Sequence, residues 1–203
     1  MTEFKDWVAG ARPRTLFASL SPVAVGSAAA SAVGSFALEP AVVALGVASA
    51  LQIASNFAND YADGVRGTDI NRLGPERLVA SGRATPTAVK RAAYASFGVA
   101  IILGLYLVLI SGQWGLLIVG ALAIAAAWTY TASSKPYGYS GWGEVSVFAF
   151  FGPVAVLGTM LTQAGQVTWW AGAAACGVGS ASRKPPSCRT SAWSSRTPSR
   201  ARR

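Results

Sequence analysis

An apolar segment of membrane-spanning length carries a stripe of polar side chains at residues 40–63, with the sequence PAVVALGVASALQIASNFANDYAD. Gln52, Asn56, Asp60 and Asp63 are spaced by 4, 4 and 3 residues, so all four lie on one face of a helix. A carboxylate at bilayer depth costs roughly 2.5 to 3.5 kcal/mol on insertion scales. The two carboxylates near the end of this membrane helix are therefore predicted to bind a ligand.

The rest of the chain has the composition of a membrane protein. Of its 203 residues, 52% are apolar and 12% are charged. The hydrophobic runs predict an all-α fold, a polytopic transmembrane bundle of five complete helices and a partial sixth that begins near Val167. The five complete helices are predicted at about residues 15–35, 40–61, 92–111, 114–132 and 143–162.

Basic residues before residue 180 all fall on one side of this map. Lys5, Arg12 and Arg14 precede the first helix, six basic residues from Arg66 to Arg91 lie between the second and third, and Lys135 lies between the fourth and fifth. The positive-inside rule makes this side cytoplasmic, together with the N-terminus. No cleavable signal peptide is evident. We expect a multi-pass protein of the inner (plasma) membrane.

The end of the chain is a different kind of sequence. Residues 181–203 hold 7 Lys and Arg and no acidic residue, whereas residues 1–180 hold 10 Lys and Arg against 8 Asp and Glu. The tail is rich in Arg, Ser and Pro and has no apolar period. A basic tail suits anionic lipid or nucleic acid, and the simpler alternatives are a disordered end or a wrong reading frame. We therefore divide the chain into a partial membrane domain, 1–180, and a tail, 181–203, expected to be disordered or out of frame.

Residue types narrow the chemistry. The chain has no His, and its two cysteines, Cys176 and Cys188, give neither a metal-ligand spacing nor a disulfide framework. Haem, zinc-hydrolase and Ser/His chemistry are therefore disfavoured. Carboxylate and amide oxygens are hard ligands that suit Mg²⁺, which in proteins bridges one or two carboxylates to phosphate oxygens.

Three stretches resemble the UbiA superfamily of intramembrane prenyltransferases. One is similar to its first aspartate-rich motif and runs from Asn56, NFANDYADGVRGTD, on to residues 72–82, RLGPERLVASG. Residues 130–144, YTASSKPYGYSGWGE, resemble the loop after its fourth helix, and residues 7–16, WVAGARPRTL, resemble its start. Within the superfamily, the 1,4-dihydroxy-2-naphthoate polyprenyltransferases of menaquinone synthesis are the most similar group.

The resemblance implies nine transmembrane helices around a cavity open to the cytoplasm, together with a set of site residues. The implied Mg²⁺ ligands, direct or supporting, are Asn56, Asn59, Asp60, Asp63 and Asp69. The implied catalytic residues are Asp60, Asp63 and Lys135. The implied substrate-binding residues are Arg72 and Arg77 for the diphosphate, and Tyr130, Tyr137 and Tyr139 for the acceptor or the forming allyl cation.

The implied reaction transfers a polyprenyl group from polyprenyl diphosphate to 1,4-dihydroxy-2-naphthoate and gives demethylmenaquinone. A second aspartate motif would follow the sixth helix, where this chain has no Asp or Glu, so we expect the chain as written to be inactive. Two alternatives remain: a different acceptor, such as 4-hydroxybenzoate, homogentisate or a phosphoribosyl donor partner, and a non-catalytic membrane transporter. We expect the lipid bilayer as surroundings, no nucleic-acid partner and no obligate protein partner.

Overall fold

Eight α-helices make up most of the described chain. The computed structural model describes residues 2–67, 77–133, 136–139 and 141–182. The helices are α1 Phe4–Ala11, α2 Phe17–Ala32, α3 Leu38–Arg66, α4 Pro86–Ser111, α5 Leu116–Thr131, α6 Gly141–Ala149, α7 Ala155–Ala164 and α8 Trp169–Ser182. No strand occurs within those ranges, so the predicted all-α fold is confirmed.

Four helical stretches are long and apolar enough to cross a membrane. They are Phe4–Ala32, Leu38–Arg66, Pro86–Ser111 and Trp142–Ala164, and Leu116–Thr131 is a shorter apolar helix. In the last of the four, α6 and α7 are joined by a π-helical turn, Phe150–Val154, that contains Pro153. Proline lacks the N–H that a regular α-helix needs at this point, which accounts for the wider turn.

The predicted helix boundaries were wrong at several ends. Helix α3 continues past Tyr61 to Arg66 and stops at Gly67, whose φ of 69° is the left-handed conformation that ends a helix. Helix α4 begins at Pro86, earlier than predicted, because the Thr85 side chain caps it by accepting the Ala88 N–H. The partial helix predicted to begin near Val167 is α8, which runs from Trp169 to Ser182, two residues beyond the predicted end of the membrane domain at residue 180.

Helix α1 was missed by the hydropathy map. It is a short helix whose start is closed by a capping box between Glu3 and Asp6. An ion pair of the buried Asp6 with the exposed Arg83, at 3.1 Å, connects it to the turn before α4. Eight residues that include charged side chains carry no hydropathy signal, which explains the omission.

Small residues let the helices approach closely. A Cβ atom added to Gly26 of α2 would lie 2.5 Å from the Val156 carbonyl oxygen, so α2 packs directly on the backbone of α7. Next to this contact, Ala29, Ala30, Met160 and Ala171 form a buried cluster that joins α2, α7 and α8. Such close backbone contacts are a common way for helices to associate in lipid.

A second cluster positions the polar stripe. Phe57 and Ala58 of α3, Leu78 of the following turn, and Val89 and Ala93 of α4 are all buried together. The cluster fixes the turn at residues 77–84 against the last turns of α3. The side chains that the sequence singled out lie at this end of α3.

Candidate active site

Asp60 is the most deeply buried carboxylate of the stripe. Its residue is 1% exposed, and its two oxygens accept the backbone N–H groups of Leu78 and Val79 at 2.9 and 3.2 Å. Among the described residues it forms no ion pair with a Lys or Arg side chain. Two neutral donors orient a carboxylate without cancelling its charge, and each oxygen keeps a lone pair for a further ligand.

Asp63 lies one turn further along the same face and pairs with Arg77. The Asp63 Oδ2 to Arg77 Nη1 distance is 2.8 Å, and the two side chains are 9% and 6% exposed. An ion pair is retained at such depth only when its geometry is good, because both charges have lost their water. The turn at residues 77–84 therefore brings one cation, Arg77, into the acidic end of α3.

Close contact between α3 and this turn depends on Gly64. A Cβ atom at Gly64 would lie 2.5 Å from the Val79 Cβ atom, a separation that real atoms do not reach. The absence of a side chain therefore lets Val79 come close enough for its N–H to meet Asp60. The helix was predicted to end at about residue 61, before Gly64, whereas Gly64 lies inside α3 and contacts Val79.

The amide side chains of Asn56 and Asn59 form hydrogen bonds with neighbouring helices. The Asn56 amide donates to the Ala11 carbonyl and to the Thr15 hydroxyl, both at 2.9 Å, and thereby caps the end of α1. The Asn59 side-chain oxygen accepts a hydrogen bond from the Thr131 hydroxyl at the end of α5. In the described contacts both amides serve the helix packing around the two carboxylates.

Tyr130 and Tyr137, two of the predicted substrate-binding residues, lie in contact. Their rings meet edge to face with centroids 5.5 Å apart. The Tyr137 hydroxyl donates to the Ala126 carbonyl at 3.0 Å and lies 2.8 Å from the Ser146 hydroxyl. For Tyr139 only the backbone, part of a 3-10 turn, is described.

Three of the predicted site residues lie outside the described residues: Asp69, Arg72 and Lys135. Of the others, the structure gathers Asn56, Asn59, Asp60, Asp63 and Arg77 at one end of α3. Arg66 and Thr131 were not predicted and belong to the same cluster, since Arg66 donates to the Thr131 carbonyl at 2.6 Å. Their only sequence signal was their position inside the two quoted motifs.

The residues present fit part of a divalent-cation site. Among the described residues, no group of three or more Asp, Glu or Cys side chains is placed to hold a metal ion. Asp60 and Asp63 supply two carboxylates, which is the number that Mg²⁺ usually takes from a protein when substrate phosphates and water complete its shell. These two side chains would hold such a cation.

Comparisons with known proteins identify the family to which the chain is similar. Residues 19–182 match the UbiA prenyltransferase family. The chain is 54% identical over 169 residues to the 1,4-dihydroxy-2-naphthoate octaprenyltransferase of Mycobacterium tuberculosis, covering 83% of this chain and 58% of that protein. The identically named proteins of Mycobacterium leprae and Escherichia coli are 53% and 41% identical, with 83% and 78% of this chain and 57% and 53% of the relative covered. No solved structure matches the chain.

Two facts follow from these matches. The chain spans little more than half the length of the curated relatives. The family match reaches the end of α8 and leaves out residues 183–203, which also lie outside the described residues. Over the matched part, which includes the acidic face of α3 and the tyrosine pair Tyr130 and Tyr137, this membrane-embedded chain belongs to the UbiA prenyltransferase family.

Proposed function

We propose that residues 1–180 form the part of a prenyltransferase that binds the cation and the diphosphate of a polyprenyl donor, with Mg²⁺ as the cation and 1,4-dihydroxy-2-naphthoate as the acceptor. The acceptor is suggested by the names of the relatives. Family membership favours this enzymatic function over a transporter.

Asp60 is the observation that carries the proposal. A carboxylate that is 1% exposed inside an apolar bundle is costly unless a positive charge accompanies it. In the described part of the chain its partners are two backbone N–H groups. A divalent cation bound by Asp60 and Asp63 supplies the charge that the site lacks.

The chemistry of the proposed reaction explains why charge must be gathered here. The bond between the allylic carbon and the diphosphate oxygen breaks with its electron pair going to the diphosphate, while the ring carbon bonds the prenyl group and loses its carboxyl as CO₂. Bound Mg²⁺ supplies charge for the leaving diphosphate. Arg77 adds a fixed positive charge from the turn, and Asp69, Arg72 and Lys135 are proposed as further ligands on the motif loops.

The tyrosine pair is proposed to face the acceptor. Tyr130 is half-buried and packs on Tyr137, whose hydroxyl is already bonded to the neighbouring helices. Rings held in this way present a fixed aromatic surface, and such surfaces stabilise nearby cations. We propose the same role for Tyr139.

Charge placement supports a proposed orientation in the inner membrane. Arg66, Arg77 and Arg83 all lie at the end of the bundle where α3 finishes, whereas Glu39 lies at the opposite end of α3. By the positive-inside rule the candidate active site faces the cytoplasm, where polyprenyl diphosphates carry their charged groups.

The direct test uses the 203-residue chain in lipid nanodiscs. Binding of radiolabelled farnesyl diphosphate is measured with Mg²⁺ and with EDTA, and product is then sought with 1,4-dihydroxy-2-naphthoate or 4-hydroxybenzoate as acceptor. We expect binding that requires Mg²⁺ and falls at least tenfold in Asp63→Asn, because an amide is a weaker Mg²⁺ ligand.

Glu39→Gln is the matched control. It makes the same chemical change on the same helix, at an exposed residue whose only described partner is the Tyr106 hydroxyl. Binding that is equal with EDTA, or equal in Asp63→Asn and Glu39→Gln, would contradict the proposal. Product with 4-hydroxybenzoate in preference to the naphthoate would contradict the proposed acceptor but not the proposed cation site.

A further inference from the structure

Arg66 joins the ends of two helices. It is the last residue of α3, and its guanidinium donates to two backbone carbonyls at the end of α5, Thr131 at 2.6 Å and Ser133 at 2.5 Å. Thr131 has a second contact with α3, because its hydroxyl donates to the side chain of Asn59, about two turns before Arg66. Two side chains of α3, those of Arg66 and Asn59, therefore form hydrogen bonds with Thr131, the last residue of α5.

The Arg66 guanidinium places a positive charge beside the carbonyl groups that end α3 and α5. Helices α3 and α5 end side by side, so the partial negative charges of their last carbonyls are concentrated at the same end of the bundle. A guanidinium with parallel donors is the side chain best suited to satisfy two carbonyls at once. Its charge also reduces the repulsion that these carbonyls would exert on a diphosphate.

The residues that follow α5 are held at both ends of the segment. The Ala132 N–H donates to the Trp128 carbonyl and completes the last turn of α5. Beyond it, Tyr137 is fixed to Ala126 and Ser146, so the far end of the segment is held by α5 and α6. Arg66, together with Asn59, links the other end to α3, on which the two carboxylates lie.

We propose that Arg66 is a positioning residue, which fastens the end of α5 to the acidic end of α3 and so sets the distance between the tyrosine pair and the carboxylate pair. The proposal rests on the proposed function for its consequence in substrate binding. The attachment itself does not depend on that function. Arg66 is thus distinguished from Arg77, which pairs with a carboxylate.

Three variants of the 203-residue chain in nanodiscs test the proposal. Arg66→Gln removes the charge and shortens the reach, Arg66→Lys keeps the charge with a single donor group, and Arg91→Gln removes an exposed basic residue of α4 as the control. Hydrogen exchange is followed by mass spectrometry on the peptide that contains Ala132 and Ser133. Mg²⁺-dependent binding of farnesyl diphosphate is measured on the same samples.

We expect exchange of that peptide to rise about tenfold in both Arg66 variants and to stay unchanged in Arg91→Gln, because Arg66, and not Arg91, donates to the carbonyls of Thr131 and Ser133. Farnesyl diphosphate affinity should fall about tenfold in Arg66→Gln and recover in part in Arg66→Lys, since the charge returns without the second bond. A purely structural role would raise exchange throughout α5 and lower affinity equally in both variants.

The outcomes separate the two proposals. Exchange that is unchanged in Arg66→Gln would overturn the positioning role, whatever the binding result. Increased exchange in a protein whose wild-type form binds no farnesyl diphosphate would overturn the proposed function and the consequence drawn for substrate, and would leave the helix attachment established.

Discussion

Replacing Gly64 by alanine should move the turn at residues 77–84 away from the acidic end of α3. The new methyl group would collide with Val79, whose Cβ atom lies 2.5 Å from the position that the added carbon would take. Val79 cannot turn away from this contact, because the Cβ position is set by its backbone. The turn at residues 77–84 must therefore move away from α3, and its N–H groups move away from Asp60.

The change in the free energy of unfolding follows from two destabilising contributions and one stabilising contribution. Overpacking a well-packed contact costs about 1–3 kcal/mol. Weakened hydrogen bonds to the charged Asp60 add about 1.5–3 kcal/mol if one of them is lost. Alanine in place of glycine inside a helix returns about 1 kcal/mol. Gly64→Ala should thus be destabilised by about 1.5–5 kcal/mol.

Gly98→Ala is the matched control for this experiment. Gly98 is also inside a helix, α4, and a Cβ atom there would meet no atom within 4 Å. Its substitution should stabilise the protein by up to about 1 kcal/mol. Unfolding in detergent, followed by the fluorescence of the tryptophans, measures both. Equal stability of the two variants would refute the close contact between Gly64 and Val79, and with it the placement of the turn.

Three further predictions concern the same bundle. Arg77→Gln should cost about 3–5 kcal/mol in an unfolding titration because it removes the cation that pairs with the buried Asp63, and the double variant with Asp63→Asn should lose less than the two single variants together. Tyr137→Phe should lower stability by about 1–2 kcal/mol through the loss of its hydroxyl bonds, with unchanged stability counting against the described contacts. In a cysteine-free background, Ser81→Cys should react with impermeant maleimide only in inverted vesicles and Ser111→Cys only in intact cells, and the reverse pattern would overturn the orientation.

Hydrophobic runs predicted the helices well and their ends poorly. A run of apolar residues indicates the part of a helix that is suited to lipid, and α3 and α4 both extend beyond their apolar runs. The extra turns are set by local signals: the Thr85 cap with Pro86 behind it, and the left-handed Gly67. Helix α1 depends on its capping box and on the contact of Asp6 with Arg83, and hydropathy registers neither.

The stripe was predictable because helical spacing alone puts its members on one face, and the structure shows Asn56, Asp60 and Asp63 buried there. Their partners were not predictable. Asp60 bonds to residues 18 and 19 positions later, and Asn59 to Thr131, 72 positions later, so both contacts depend on how the helices pack. The same holds for Arg66, whose spacing gave no hint that it serves the end of α5.

Binding of Mn²⁺, a paramagnetic substitute for Mg²⁺, tests the cation site at Asp60 and Asp63 most directly. Electron paramagnetic resonance on the purified chain with farnesyl diphosphate counts the bound ions without requiring turnover. The account predicts an ion that is bound in the wild-type protein and in Glu39→Gln and is lost in Asp60→Asn. Retention of that ion in Asp60→Asn, at wild-type affinity and with the protein still folded, would contradict it.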